Sequence, residues 1–341
     1  MSTMSEPLPT SSVCEAMAIQ FRSDSPDDLP RIRQVHARAF GQQSEADLVD
    51  ALRAGGHARI SLVAETESGV VGHILFSEMA VLTHAGDLPA LSLAPVAVLP
   101  EHQRQGIGAA LIRQGLAAAR EAGHDIVIVL GHPDYYPRFG FSASLAERLG
   151  SPFAAGPAWM AMELSPGALA KVDGWAAYPP PFQIEPHVRP VFPRDRSEWL
   201  RMRTALLPEA AADHPGAIEA LLRAAAAGAG SSAVFVVARP QGLGAFIELS
   251  IRPFAEGCVT DRVAYVEAWY VDQDLRRRGP GRALLAAGQG WAPSRDCTEL
   301  AWDARLDNRD SHAVHLALGF AEVERLVCYR MPLAEESGHS A

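Results

Sequence analysis

Apolar and polar positions along the chain alternate between two periods. Runs of β-branched, aromatic and apolar residues read as strands: Ala18-Ile-Gln-Phe21, Ile60-Ser-Leu-Val-Ala64, Val70-Val-Gly-His-Ile-Leu-Phe76, Leu91-Ser-Leu-Ala-Pro-Val-Ala-Val98 and the buried run Asp125-Ile-Val-Ile-Val-Leu130. Ser25-Pro-Asp-Asp sets a cap, a first-position proline and first-turn acids ahead of Ile32, Val35 and Ala39, which predicts a helix. Residues 45–54 predict a second. The same order then returns. His187-Val-Arg-Pro-Val191 predicts a strand, Asp195-Arg-Ser-Glu198 caps a helix through Trp199 and Met202, and Pro215 to Ala225 gives another. The strands Ala233–Ala238, Leu243–Ile251, Tyr265–Val271 and Glu299–Trp302 follow, then a helix over 311–318 and a last strand over Val323–Arg330.

Two places in this order carry chemistry. Tyr265-Val-Glu-Ala-Trp-Tyr-Val271 runs into Leu275-Arg-Arg-Arg-Gly-Pro-Gly-Arg282 and a helix. A strand, a glycine turn and a helix start aim unpaired N–H groups and the helix dipole at one spot, an anion site. Earlier, Leu91–Val98 is followed by Gln103-Arg-Gln-Gly-Ile-Gly108 and the helix opening Ala109-Ala-Leu-Ile-Arg113. Aligned on Gly106 and Gly279, Val98 matches Val271, Gln103 matches Arg276, and Ala94 falls where Glu267 lies. Phe139-Gly-Phe141 and Leu318-Gly-Phe320 repeat a later mark. Glu267 stands between Val266 and Ala268, where a carboxylate is costly unless paired or used. Neither turn is a P-loop, since no Lys-Ser/Thr follows, and Leu111 and Leu284 replace the last glycine of a dinucleotide fingerprint.

Composition narrows the options. The 341 residues, nearly half apolar, suffice for two domains with cores of their own. A net charge of −10 argues against nucleic acid and suits a small cationic partner. Cys14, Cys258, Cys297 and Cys328 are scattered, which reads as free thiols in a reducing compartment. With no membrane-length apolar run and no signal-like start, the cytoplasm is the expected location, with no membrane partner and no metal. The divisions expected are a disordered tail over 1–16, a first domain over 17–165, a proline-rich boundary over 166–186, a second domain over 187–335 and a tail over 336–341.

The strand followed by Gln/Arg-x-x-Gly-x-Gly, then an aromatic or His before Gly-Phe, resembles the GNAT superfamily of acetyl-CoA-dependent N-acetyltransferases, here in two copies. The resemblance implies an α/β (α+β) fold, each copy a mixed, mostly antiparallel sheet flanked by helices. Acetyl-CoA is the cofactor it implies. Residues 17–185 are similar to a GNAT subgroup of predicted acetyltransferases through Leu93-Ala-Pro-Val-Ala-Val98, the segment 132–141 and Tyr178-Pro-Pro-Pro-Phe182. Its cofactor segments are Val96, Ala97 and Val98 with Arg104, Gln105, Gly106, Ile107, Gly108 and Ala109. Tyr136 stands where many relatives protonate the leaving thiolate. Packing beneath the cofactor is the other reading of that residue.

Residues 187–333 resemble the aminoglycoside 6'-N-acetyltransferases. Ser250-Ile-Arg252, Gly257-Cys258, Glu267, Glu299-Leu-Ala-Trp-Asp303, Asn308, Ser311, His315 to Phe320, Glu324-Arg325 and Tyr329-Arg330 follow that family's order and spacing. The resemblance implies that Glu267, Asp303 and Glu324 contact the antibiotic. It assigns the cofactor to Trp269, Tyr270, Val271, Arg277, Arg278, Gly279, Pro280, Gly281, Arg282 and Asn308. A cationic amine must lose a proton before it attacks, so Glu267 is the candidate base, directly or through water. Backbone N–H groups of a splayed or bulged strand near Trp269 can receive the negative oxygen. His315 takes the place of Tyr136 and is the second candidate for the acid. Each has a plain alternative: Glu267 an arginine partner, Asp303 a turn or cap, Glu324 an exposed strand acid. Leu207-Pro208 replaces a family tryptophan, His214 is displaced, and the tyrosine expected after Ser-Ile-Arg is missing, which leaves substrate identity more open than reaction type. Other acceptors through the first domain (a peptide N-terminus, lysine or polyamine) and a non-catalytic acyl-CoA-binding scaffold remain open. So do a pseudo-dimeric monomer and a homodimer.

Overall fold

Side chains of successive strand residues point to opposite faces, so a strand apolar on both faces must be covered on both. β3 (Gly69–Leu82) is such a strand, buried along nearly its whole length. The computed structural model describes residues 19–153, 156–184, 187–228, 230–239, 242–327, 329 and 331. It divides into two compact units, Met1–Ile184 and Glu185–Ala341. The expected tails over 1–16 and 336–341 lie outside the described residues, as do Cys14 and Cys328.

The first unit orders its main strands β1 (Gln20–Ser23), β2 (Ala58–Thr66), β3, β4 (Leu88–Val98), β5 (Ile126–Leu130) and β7 (Trp159–Glu163). Only the β4–β5 pair is parallel along this path. α1 (Leu29–Phe40) and α3 (Ile107–Glu121) cover opposite faces. Gly72 of β3 faces Leu111 and Ile107 of α3, while the next residue, His73, bonds His36 of α1. α2 (Ser44–Ala54) packs beside α1, and α4 (Ala143–Ala146) beside β7. β6 (Leu149–Gly150) pairs with β8 (Gly174–Ala177), which also pairs with the end of β3. Part of the proline-rich stretch over 166–186 therefore joins the first sheet.

The second unit repeats this plan as β13 (Glu299–Ala301), β12 (Val263–Val271), β11 (Gly242–Arg252), β10 (Ser232–Arg239) and β9 (His187–Pro190). Again only one pair, β12–β13, is parallel. α5 (Arg196–Leu206) and α7 (Pro280–Trp291) lie on opposite faces: Trp199 of α5 bonds Glu248, while Gly288 of α7 closes on the next residue, Leu249. α6 (His214–Ala226) packs on α5 and β10, and α8 (Arg309–Ala317) follows β13.

The duplication extends to side chains. Arg22 of β1 holds Asp28 at the start of α1 at 2.7 and 2.8 Å, and Arg189 of β9 holds Asp195 at the start of α5 at 2.6 and 2.8 Å. Each aspartate also accepts the N–H three residues back, of Ser25 at 2.7 Å and of Phe192 at 2.9 Å, satisfying a helix-start donor.

One expected strand, over Val323–Arg330, does not form among the described residues. Residues 321–327 form no strand, and Val323, Leu326 and Val327 are exposed; Arg330 lies outside the described residues. In the first unit β5 pairs with β7 over five residues. β13 offers an edge of only three, too short to hold a long partner by backbone bonds alone.

Candidate active site

Both units open their sheet at the same place. β4 meets β5 only at Leu91–Val127 and Ser92–Ile128, and β12 meets β13 only from Val263 to Tyr265. Beyond these pairs the strands part, so Val96, Ala97 and Val98, and likewise Trp269, Tyr270 and Val271, present an edge unpaired on that side to any other strand. The glycine turn follows that edge in the chain and packs against its end, Gly108 on Val98 and Gly281 on Trp269. Gly106 (φ 84°) and Gly279 (φ 100°) precede α3 and α7, and Arg104 (φ 60°) and Arg277 (φ 63°) are also left-handed. Alternating right- and left-handed residues gather successive N–H groups into a concave anion nest. Nothing lies within 4 Å of a Cβ built on Gly106 or Gly279, so glycine is needed there for its backbone and not for room. Gln103 and Arg276 do the same structural job: each side chain donates to the last carbonyl of its strand, Val98 or Val271, at 3.0 Å. Arg276 is therefore turned to the strand, leaving Arg277, Arg278 and Arg282 as the basic side chains at the turn. Pro280 sits at the first helical position, where a missing N–H disturbs no helix bond.

Glu267 occupies a bulge. β11 pairs Glu248 with Ala268 and Leu249 with Val266, so Glu267 faces no partner residue. Its carboxylate is 36 % exposed and accepts from the Ser250 hydroxyl and from Arg252, Nε at 2.9 Å and Nη2 at 2.6 Å. The Arg252 guanidinium lies 3.5 Å from the centre of the Tyr265 ring. Burial, and then its hydrogen bond to Asp303, push the Tyr265 hydroxyl upward in pKa. The structure thus joins Glu267, Arg252, Tyr265 and Asp303 on one face. Glu324 lies exposed on the irregular segment and takes no part in that chain of contacts.

Three residues of this face were given no role from the sequence: Ser250 and Arg252, which stood only in the matched pattern, and Glu248. Arg252 and Ser250 lie across from Val263 and Tyr265, a register visible only once the bulge is fixed. Glu248 is 4 % exposed and accepts from Trp199 Nε1 at 2.8 Å and Arg203 at 2.9 Å; burial raises its pKa. Its position amid the apolar strand Gly-Ala-Phe-Ile-Glu-Leu was the available signal.

The candidate acids are placed less simply. Tyr136 is 8 % exposed, its ring among Tyr135, Phe139 and Phe141, and burial pushes its hydroxyl up to about 12. The neighbouring Tyr135 is the one that reaches the turn: a Cβ on Gly108 would lie 3.5 Å from its hydroxyl. His315 Nδ1 donates to the Ser311 carbonyl at 2.6 Å, and burial lowers its pKa. Its Nε2 is buried without a partner among the described residues, and the centre of its ring lies 4.1 Å from that of Trp302 and 5.6 Å from that of Phe320. A neutral imidazole donating from Nδ1 offers a lone pair at Nε2, not a proton. Trp269 packs its ring against Gly281 and leaves Nε1 buried and unpartnered too. Asn308 caps α8, accepting from Ser311 N–H at 3.0 Å. Among the described residues no group of three His, Cys, Asp or Glu is placed to hold a metal, and no helix is long and apolar enough to cross a membrane.

Residues 20–144 match the model of the acetyltransferase (GNAT) domain, and residues 199–320 match that of the acetyltransferase (GNAT) family. An aminoglycoside N(6')-acetyltransferase type 1 of Klebsiella aerogenes is 44 % identical over 151 residues, 43 % of this chain and 97 % of its own length. The chain belongs to the GNAT acetyltransferase family. A second relative, the uncharacterized N-acetyltransferase YjhQ of Escherichia coli (strain K12), is 44 % identical over 131 residues, 38 % of this chain and 72 % of its own. Among solved structures, the GNAT protein YhbS of Escherichia coli in complex with CoA is 31 % identical with a TM-score of 0.46, covering 51 % of this chain and 96 % of that one. The two GNAT domains share their donor-side geometry and differ at the bulge, where one has Ala94 and the other Glu267.

Proposed function

We propose that the chain is an acetyl-CoA-dependent N-acetyltransferase whose second domain acetylates a primary amine of an aminoglycoside, at the 6' position, or of a similar cationic amine. Support comes from the relatives named as aminoglycoside N(6')-acetyltransferases and from the order of polar residues in the second half. The single observation that carries the reading is Glu267: an accessible carboxylate at a strand bulge, two residues before Trp269 on the unpaired edge that leads to the glycine turn.

Acetyl-CoA supplies the activated acyl thioester. The nest around Arg277 to Gly281 and the start of α7 fit its phosphates, as Arg104 to Gly108 and α3 do in the first domain. Glu267 receives the proton that the substrate ammonium must lose, directly or through one water. Edge N–H groups between Ala268 and Val271 meet the developing oxyanion. Asp303 and Glu324 hold further ammonium groups by charge-assisted bonds. The first domain keeps the nest and the open edge but has no carboxylate at its bulge, and we read it as a donor-binding half without the same amine chemistry. The test is free-thiol release by the full chain across aminoglycosides, polyamines and peptide amines. Turnover confined to peptide amines would overturn the assignment.

A further inference from the structure

The cation nearest Glu267 belongs to the chain itself. Arg252 takes both carboxylate oxygens, and Ser250 takes a further lone pair. Its guanidinium is also stacked on Tyr265, which is buried and bonded to Asp303. A second ion-paired carboxylate of this face has a cation of its own, but a shielded one: Glu248 and Arg203 side chains are 5 % and 14 % exposed, against 36 % and 38 % for Glu267 and Arg252. Of the two pairs, solvent and ligand reach only the second. A fork of two N–H groups on a carboxylate is a stronger arrangement than one ammonium can offer. The Tyr265 ring backs the guanidinium while it is held on Glu267, and so strengthens its hold.

We propose that Arg252 is a tethered stand-in for the substrate ammonium, which an acceptor must displace from Glu267, and that it thereby selects acceptors carrying several positive charges. This rests on the acceptor reading above. A singly charged amine trades two charge-assisted bonds of Arg252 for its own contact and gains nothing elsewhere. A polycation offsets the exchange with contacts to Asp303 and other acids. Arg252 is then a specificity residue acting through Glu267, not a catalytic one.

The experiment measures kcat and KM of the full chain for tobramycin and for n-butylamine, as wild type, Arg252→Gln and Arg252→Lys. Arg252→Gln should lower KM for butylamine by about tenfold or more, the scale of charge-assisted bonds no longer lost on binding, with a smaller change for tobramycin. Butylamine kcat should hold within about threefold, as for a change confined to binding. Arg252→Lys, which keeps the charge, should return the tobramycin-to-butylamine ratio of kcat/KM toward wild type. A rise in KM for both amines, or equal loss of kcat for both, would mean that Arg252 props Glu267 in place, and the proposal fails. If Arg252→Gln does not fold, Tyr265→Leu removes the surface behind the guanidinium and must narrow the same ratio; an unchanged ratio overturns the proposal. Wild type that acetylates neither amine defeats the acceptor reading itself, a different failure from an active enzyme with an unmoved ratio.

Discussion

Glu267→Gln separates three roles that one carboxylate can have. Glutamine keeps the side-chain size and a bond with Ser250, and it loses the charge and the proton acceptor. As a base, Glu267 is worth ~10²–10⁴ in turnover, or about 2.7–5.5 kcal/mol at 1.36 kcal/mol per factor of ten. Its contribution to stability is much smaller. The ion pair with Arg252 is more than a third exposed on both sides, and such pairs contribute about 0–1 kcal/mol. For a unit of this size that is at most ~2–4 °C in Tm. The expected outcome is a loss of kcat of at least about a hundredfold, a Tm within a few degrees of wild type, and an unchanged Kd for acetyl-CoA. The assays are thiol release with the best amine, scanning fluorimetry and calorimetry. A raised KM with kcat kept makes Glu267 a binding contact only. Wild-type kcat and KM together would remove Glu267 from the site and refute the reasoning.

Acid should unfold the first unit early, because His36 and His73 are buried in contact at 2.7 Å and burial holds both below the usual histidine range, His36 to about 4. With folded pKa values depressed, stability is full above about pH 6.5 and falls as pH drops toward 4, by up to ~2.7 kcal/mol per pH unit for two protons taken up on unfolding. Denaturant melts of wild type and His73→Phe between pH 7 and 4.5 check this; equal slopes would exclude the pair. Asp195→Ala should cost about 3–5 kcal/mol, since it strands the buried Arg189, and Asp28→Ala should cost less, since Arg22 is more exposed; urea midpoints decide, and the reverse order would count against the burial argument. Calorimetry should find two acetyl-CoA equivalents in wild type and one in either Gly106→Glu or Gly279→Glu, because a carboxylate there meets the anion nest; two equivalents in both variants would exclude these turns as donor sites.

What the sequence disclosed is what local chemistry encodes. Apolar periodicity, the Ser25 and Asp195 caps and the glycine turns each act over a few residues, so the order of strands and helices and the repeat itself were legible. Gln103 and Arg276 were matched by position alone, and their common bond to a strand carbonyl needed coordinates. The pairing of Glu267 with Arg252 depends on register after a bulge, and a one-residue slip would send the arginine to the other face. Tyr135 and Tyr136 differ only by the direction that the short turn over Tyr136–Phe139 gives each ring. The last strand, absent over 321–327, would have to pair with β13, whose three-residue edge the local pattern does not reveal.

The register also locates where the two domains diverge. Gly72 stands opposite Val98 as Ala245 stands opposite Val271, so His73 corresponds to Phe246 and Leu75 to Glu248. Donor-side features agree across the copies: left-handed Arg104 and Arg277, left-handed Gly106 and Gly279, and the open edge after a short parallel pair. The face toward α1 or α5 does not agree. In the second domain it carries Glu248, Ser250, Arg252, Tyr265 and Glu267, a run of charge and hydrogen bonds around the bulge. In the first domain Leu75 and Ala94 take the places of the two glutamates and Met79 that of Arg252, and the buried polar side chains on that face are the neutral His73 with Ser77 and Ser92. A nest without a carboxylate at the bulge lacks the proton acceptor that Glu267 offers in the second domain. Restoring one acid is therefore not enough: Ala94→Glu would find Ser77 where Glu267 has Ser250, but Met79 where it has Arg252 and Ser92 where it has Tyr265. Such a variant should gain no amine-dependent thiol release from the first domain when Gly279→Glu silences the second, and release above background would show that a carboxylate at the bulge is sufficient after all.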